Sequence, residues 1–174
     1  DDDNPYEIGQ SGLIGNPSTA LAFASCDVLV LVGTDFPYPE FLPEGKTVVQ
    51  LDLRGAHVGR RTPVDHAVVG DSQLALGALL PLLEAKDDSA HLDHARKAYD
   101  LWRQGQSHFT DPAYDHKRVG LLRRKVDNPD ALIRPELLAA AVERHAGSDA
   151  VFTTDTGMST VWLSRFVRMS GGRQ

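Results

Sequence analysis

The sequence predicts an α/β fold, a parallel sheet layered by helices in the Rossmann-like manner, followed by the start of a second α/β unit. Three observations carry this. Two runs, Asp27–Val32 and Thr47–Leu51, are almost continuously apolar and β-branched, the pattern of strands covered on both faces in a parallel sheet. Helical patterns alternate with strand patterns from Asn16 to Ala85. A turn of glycine and aromatic residues, Gly33–Tyr38, joins the two runs, and the second run ends on Asp52. An acid at the carboxyl end of a strand, about 20 residues after a strand-ending glycine, stands where dinucleotide-binding sheets hold a ribose hydroxyl.

Bulk properties bound the rest. A chain of 174 residues, 41% apolar and 24% charged, has the composition of a soluble globular protein, long enough to bury one sizeable core or to hold one domain plus part of another. No apolar run approaches the ~20 residues needed to cross a bilayer. The net charge of −6 gives a nucleic-acid role no general electrostatic support. The lone Cys26 has no partner for an internal disulfide and reads as a small core residue at the mouth of a strand. A reducing, cytoplasmic compartment fits this usage.

Element by element, Asp1-Asp2-Asp3 is expected to be solvated and poorly ordered. Gly9, Gly12 and Gly15 mark a loop whose backbone bends tightly or approaches another group closely. Asn16 then caps a helix with Pro17 at its first position and Leu21, Ala22 and Phe23 on its apolar side. After the two central strands, Leu53–Pro63 carries Arg54, Arg60 and Arg61 and reads as a loop or short helix on the ligand side of the sheet. A strand, His66–Val69, and a helix from Gly70-Asp71 to about Ala85 follow. Its leucines are available for burial, and Pro81 predicts a kink or local tightening. Residues 90–106 form an amphipathic helix through Leu92, Ala95, Tyr99 and Trp102, and residues 107–130 a polar connection with a helical turn near Lys117–Lys125. Pro135 to His145 is a helix ended near Gly147, Ala150–Thr154 a strand, and Asp155-Thr156-Gly157 a turn into a helix reaching about Met169. The organisation is therefore residues 1–85 as a partial central domain, 86–130 as a linker with a helix, and 131–174 as the start of another domain.

Four constellations bear on chemistry. The Ser11–Gly15 loop lacks the G-x-G-x-x-G of a Rossmann phosphate loop; it is a tight helix entry or a place where backbone N–H groups reach a phosphate or flat ring. Gly33–Tyr38 puts hydroxyls and two aromatic rings at the carboxyl edge of the sheet, either facing a ligand or plugging the core. Asp52 is a ribose partner or a strand-end cap. Thr153–Met158 is a plain αβ turn or an anion site at a helix start. His91 and His94 stand i, i+3 without a cysteine or carboxylate to complete a metal site. No G-x-S-x-G or Walker loop is present, and no residue reads as a proton-transfer catalyst.

Together NPYEIGQSGLIG, LVLVGTDFPYPEF, VVQLDL and VFTTDTGMSTVW resemble the thiamine-diphosphate enzymes, with the nearest likeness to the pyruvate oxidase or quinone-linked pyruvate dehydrogenase branch. The resemblance runs from about Asn4 to the end and is weakest over 86–130. It implies a central FAD-binding-type domain and the beginning of a diphosphate-binding domain. It assigns FAD contacts to Ser11, Gly12, Leu13 and Ile14, to Thr34, Asp35, Phe36, Pro37 and Tyr38, and to Asp52. Thr156, Gly157 and Met158 match the turn near thiamine diphosphate. The first-domain glutamate that activates thiamine and the Gly-Asp-Gly…Asn magnesium motif have no counterpart here, so the chain reads as a fragment that is inactive alone. The implied parent reaction is oxidative decarboxylation of pyruvate, with thiamine diphosphate, Mg2+ and FAD as cofactors and a quinone or oxygen as electron acceptor. The implied parent is a cytoplasmic homo-oligomer, a dimer or tetramer, with peripheral membrane contact as one option. An acetolactate synthase-like carboligase of the same fold is the alternative, and a cofactor-free domain serving assembly is another.

Overall fold

In the computed structural model, residues 2–114 and 132–174 are described. The helical turn expected near Lys117–Lys125 lies outside them. The chain divides into two units, Ile8–Lys97 and Asp1–Glu7 with Ala98–Gln174.

The first unit is built on three parallel strands, β1 (Val28–Val32), β2 (Thr47–Asp52) and β3 (His66–Val69), in the order β1-β2-β3. Val28 pairs with Thr47 and Val32 with Leu51, while Val49 pairs with His66 and Asp52 with Val69. The ladder extends past the strand ends through Gly33 N–H to Leu51 O at 2.8 Å and Gly70 N–H to Asp52 O at 3.0 Å. All three carboxyl ends thus fall on one edge. The fold is α/β with a parallel sheet and flanking helices, as the apolar runs imply. Helix α1 (Pro17–Ser25) precedes β1, and α2 (Ser72–Leu79) follows β3, capped by Asp71, whose carboxylate accepts from Leu74 N–H at 3.0 Å. Pro81 stops α2 early: the last turn, Leu80–Leu82, tightens to a 3-10 helix because proline has no N–H to give the α pattern.

Burial departs from expectation. Leu29 is buried, but Val28 and Val30 on the opposite face of β1 are 49% and 52% exposed, and all of β3 is exposed. The leucines of the α2 region are exposed as well, Leu74 at 75% and Leu82 at 78%. Apolar runs report what a strand tolerates on both faces; covering requires a second layer, and among the described residues none lies over these faces. The buried apolar residues of this unit are Ala22, Leu29, Val48, Leu51 and Ala95.

One stability prediction arises from α2. A Cβ added at Gly77 meets nothing within 4 Å, and the residue sits inside the helix. Gly77→Ala should therefore raise stability by about 0.5–1 kcal/mol through helix propensity and a less flexible unfolded chain, read as a higher urea midpoint.

Helix α3 (Ala90–Ser107) forms where the amphipathic pattern predicts it, with Ala95 and Tyr99 buried and Trp102 stacked on Tyr99 at 5.8 Å. The second unit contains α4 (Pro135–His145) and α5 (Met158–Phe166), the latter ending three residues short of Met169. At the start of α4 the buried Arg134 donates to Phe109 O at 2.9 Å and Asp111 O at 2.7 Å, and its guanidinium lies over the Tyr114 ring. At its end the Arg173 guanidinium caps the helix, donating to the carbonyls of Glu143, Ala146 and Gly147. Two expectations fail here. Asp2 and Asp3 are engaged rather than loose: their carboxylates accept from Met169 N–H at 2.8 Å and Gly171 N–H at 2.7 Å. Ala150–Thr154 is no strand. It pairs with Gln174, through Gln174 N–H to Ala150 O and Phe152 N–H to Gln174 O, while Ala150 N–H closes a turn on Gly147 O. An apolar segment becomes a strand only beside a ladder of partners.

Candidate functional site

The carboxyl edge of the first unit gathers most of the residues singled out from the sequence. Its starting point is the glycine loop ahead of α1. The buried Asn16 caps that helix, its Oδ1 accepting from Ser18 N–H at 3.0 Å and Thr19 N–H at 3.2 Å. The hydroxyls of the first turn reach back to the loop: Ser18 Oγ donates to Ile8 O at 2.8 Å and Thr19 Oγ1 to Gln10 O at 2.7 Å. Asn16 N–H closes on Gln10 O, and Gly15 N–H on Gly12 O. The helix start thereby holds the loop as a preformed shape, with backbone carbonyls satisfied from below.

The loop meets the aromatic turn. Gly12 adopts φ +91°, a conformation that favours glycine, and a Cβ there would stand 3.1 Å from two ring carbons of Phe36 and 3.7 Å from Tyr38. Phe36 and Tyr38 pack edge to face at 5.7 Å, and Tyr38 and Phe41 at 6.3 Å. Ser11, Gly12, Asn16, Phe23 and Phe41 line a cavity of about 310 Å³, at the small end of ligand-site sizes. Leu13 is 68% exposed beside it, and Ile14 is half-buried. The structure thus brings Ser11 and Gly12 together with Phe36, Tyr38 and Phe41. Thr34 is half-buried and Pro37 exposed in the same turn.

The acids have other partners. Asp52 is 5% exposed; its Oδ1 accepts from Arg54 N–H at 2.8 Å, and His57 Nδ1 lies 3.4 Å from its Oδ2. Asp35 faces the β2–β3 loop, accepting from Arg61 Nε at 2.8 Å and from terminal nitrogens of Arg61 at 3.1 Å and Arg60 at 3.0 Å. The hydrogen bond from Arg61 holds the Asp35 carboxyl below its ordinary value, with the charges of Arg60, Arg61 and His57 adding and desolvation opposing. The same pair raises Arg61. Composition alone leaves Gln50 unremarked, yet this polar residue in an apolar strand is buried and holds the loop twice, donating to His57 O at 3.2 Å and accepting from Gly59 N–H at 2.9 Å. A buried amide between valine and leucine was the available signal. The loop Leu53–Pro63 is short helix in part, Gly55–His57 being a 3-10 turn.

The lowered Asp35 value fixes a sign. A depressed carboxyl contributes stability above its ordinary value that is lost as pH falls through the lowered one. The stability difference between Asp35→Asn and the unchanged protein should be constant near neutrality and shrink towards zero on acidification below about pH 4, as followed by urea unfolding at each pH. Added salt should also shrink it, since the pair is partly exposed.

Thr156, Gly157 and Met158 belong to the second unit. Gly157 has φ +147° and precedes α5, whose first N–H groups receive no side-chain cap. Ser159 and Thr160 turn their hydroxyls to Asp155 O at 3.2 and 2.6 Å. The first N–H groups of this helix therefore stand without a side-chain acceptor at the cap.

Elsewhere, no group of three His, Cys, Asp or Glu side chains is placed to hold a metal among the described residues. No helix among the described residues is long and apolar enough to cross a membrane.

Comparison with known proteins bears on this edge. The family model for the thiamine pyrophosphate enzyme, central domain, matches residues 1–79. A putative thiamine pyrophosphate-containing protein, YdaP, of Bacillus subtilis is 29% identical over 99% of this chain and 27% of its own length. An acetolactate synthase of Mycobacterium bovis is 26% identical over 96% of this chain and 26% of its own. An uncharacterized 42.6 kDa protein of Pseudomonas amyloderamosa is 45% identical over 59% of this chain and 26% of its own. The chain therefore spans about a quarter of the length of these relatives. A parallel sheet with its glycine loop and aromatic turn on one edge, together with these matches, connects the chain through residues 1–79 to the central domain of the thiamine pyrophosphate enzymes.

Proposed function

We propose that the chain is part of a thiamine diphosphate-dependent carboligase of the acetolactate synthase kind, acting on 2-keto acids such as pyruvate. One observation carries this reading: relatives named acetolactate synthase align over nearly the whole chain, 96% for Mycobacterium bovis and 95% for isozyme 2 of Escherichia coli. They favour the carboligase over the pyruvate oxidase branch that the Gly-Thr-Asp-Phe-Pro-Tyr turn suggests. When bound, thiamine diphosphate supplies the nucleophilic carbon that lets a 2-keto acid lose CO2 and pass on its remainder.

In this reading the chain's own residues bind and position. The Ser11–Ile14 loop, with Thr34 and Phe36–Tyr38, forms the face that takes a nucleotide cofactor such as FAD. Leu13 is exposed on it, and a side chain at Gly12 would crowd Phe36 and strain a backbone at φ +91°. Asp52 braces the neighbouring turn and offers a ribose its remaining lone pairs. The Thr156–Met158 turn directs helix N–H groups at an anion, with Mg2+ held by parts of the enzyme other than this chain.

The experiment is a product assay on the intact protein. Pyruvate with thiamine diphosphate and Mg2+ should give acetolactate, without net reduction of a quinone or dye. Pyruvate consumption coupled one-for-one to acceptor reduction, without acetolactate, would return the oxidase branch.

A further inference from the structure

We propose that Arg60 and Arg61 are a phosphate-receiving pair at the carboxyl edge of the sheet, with Asp35 occupying the phosphate's place until a nucleotide arrives. The inference rests on the nucleotide-edge reading above and adds the group that would recognise the charged part of the ligand.

The two arginines are neighbours on the β2–β3 loop, and both turn back across it to one carboxylate on the β1–β2 turn. Arg61 meets Asp35 as a fork, Nε to one oxygen and a terminal nitrogen to the other, while Arg60 adds a third bond. Two guanidinium charges face one carboxylate, so the cluster keeps a positive excess in a chain of net charge −6. The side chains of Arg60, Arg61 and Asp35 are 51%, 31% and 32% exposed, so an incoming anion reaches them without unpacking a core. Arg60 spends one terminal nitrogen on Asp35 and Arg61 leaves one unused, so donors remain among the described contacts for further oxygens.

The loop that carries the pair is also held in place independently of Asp35. Gln50 grips it at His57 and Gly59, and Asp52 grips it at Arg54 and His57. With the backbone fixed from the strand below, Asp35 is not needed to build the loop. What it does is hold both guanidinium groups on one anionic acceptor, the arrangement an oxyanion ligand also uses. A phosphate carries more acceptor oxygens than a carboxylate and more charge, so it competes for both arginines where a single carboxylate ligand would not. The site stands at the carboxyl ends of parallel strands, where open α/β sheets receive nucleotides.

The test uses the intact protein, with ADP and adenosine as probes and binding read by calorimetry. The R60Q/R61Q double substitution should weaken ADP by about tenfold or more and leave adenosine unchanged. D35N should act in the opposite direction, tightening ADP, because it frees the arginines while keeping the side-chain shape. The opposite signs separate an anion site from a structural clamp, since both changes break the same ion pairs. If D35N and R60Q/R61Q weaken ADP equally, or weaken adenosine as much as ADP, the pair is only a clamp and the proposal is wrong. ADP bound normally by R60Q/R61Q overturns the proposal and leaves the nucleotide edge standing. If the unchanged protein binds neither ADP nor adenosine, the nucleotide-edge reading falls first, and this inference with it.

Discussion

Gly15→Ala is expected to destabilise the first unit by about 3 kcal/mol and to disorganise the glycine loop. The methyl group would stand 2.8 Å from Gly12 O, 3.0 Å from Gln10 O and 3.1 Å from Gly12 N, all of them backbone atoms. A side chain can swing aside; these atoms cannot, because Gly15 N–H and Asn16 N–H already bind Gly12 O and Gln10 O. Relief requires opening the turn, which gives up those bonds and pulls on Thr19 Oγ1, a second donor to Gln10 O. Overpacking of this kind costs about 1–3 kcal/mol, and each lost buried bond adds about 1 kcal/mol. Urea unfolding measures the loss. Gly45 is the control: a Cβ there meets nothing within 4 Å, so Gly45→Ala should cost only the strain of its φ of +67°, about 1 kcal/mol.

Arg173→Ala should lower the stability of the second unit by about 3 kcal/mol. One guanidinium, largely buried, bonds the carbonyls of Glu143, Ala146, Gly147 and Arg168 and pairs with the Glu143 carboxylate at 2.9 Å. Three of those carbonyls lie at or just past the C-terminal end of α4, where backbone oxygens lack helical partners and a cation meets the negative end of the helix dipole. Removing the cap leaves several acceptors poorly satisfied at once. Arg173→Lys should recover less than half of the loss, because a single ammonium cannot span the fan of acceptors that a planar fork reaches. Thermal unfolding of the three proteins decides it; a lysine variant as stable as the parent would mean that charge alone, and not geometry, holds the helix end.

The strands of the first unit could be read from the chain because their information is local. Val28–Val32, Thr47–Asp52 and His66–Val69 announce themselves by β-branched runs, and Asn16-Pro17 and Asp71 by helix-start chemistry. The carboxyl edge was also readable, since a glycine after one strand and an acid after the next mark it. What failed depends on partners distant in sequence. Val30 has the same residue type whether or not a layer covers it, and Ala150–Thr154 needs a neighbouring ladder that composition does not supply. The partners of Asp35 could not be read from its turn either, because the arginines that engage it lie 25 and 26 residues away. Asp2 and Asp3 looked loose for the same reason; the N–H groups they accept from lie at Met169 and Gly171.

The carboligase reading is tested most directly by following pyruvate through the intact protein while its thiamine diphosphate is supplied or withheld. Acetolactate that appears with the cofactor and Mg2+, vanishes without them, and forms with no acceptor reduced is the predicted result. Pyruvate turnover that reduces a quinone or oxygen and yields no acetolactate would contradict it.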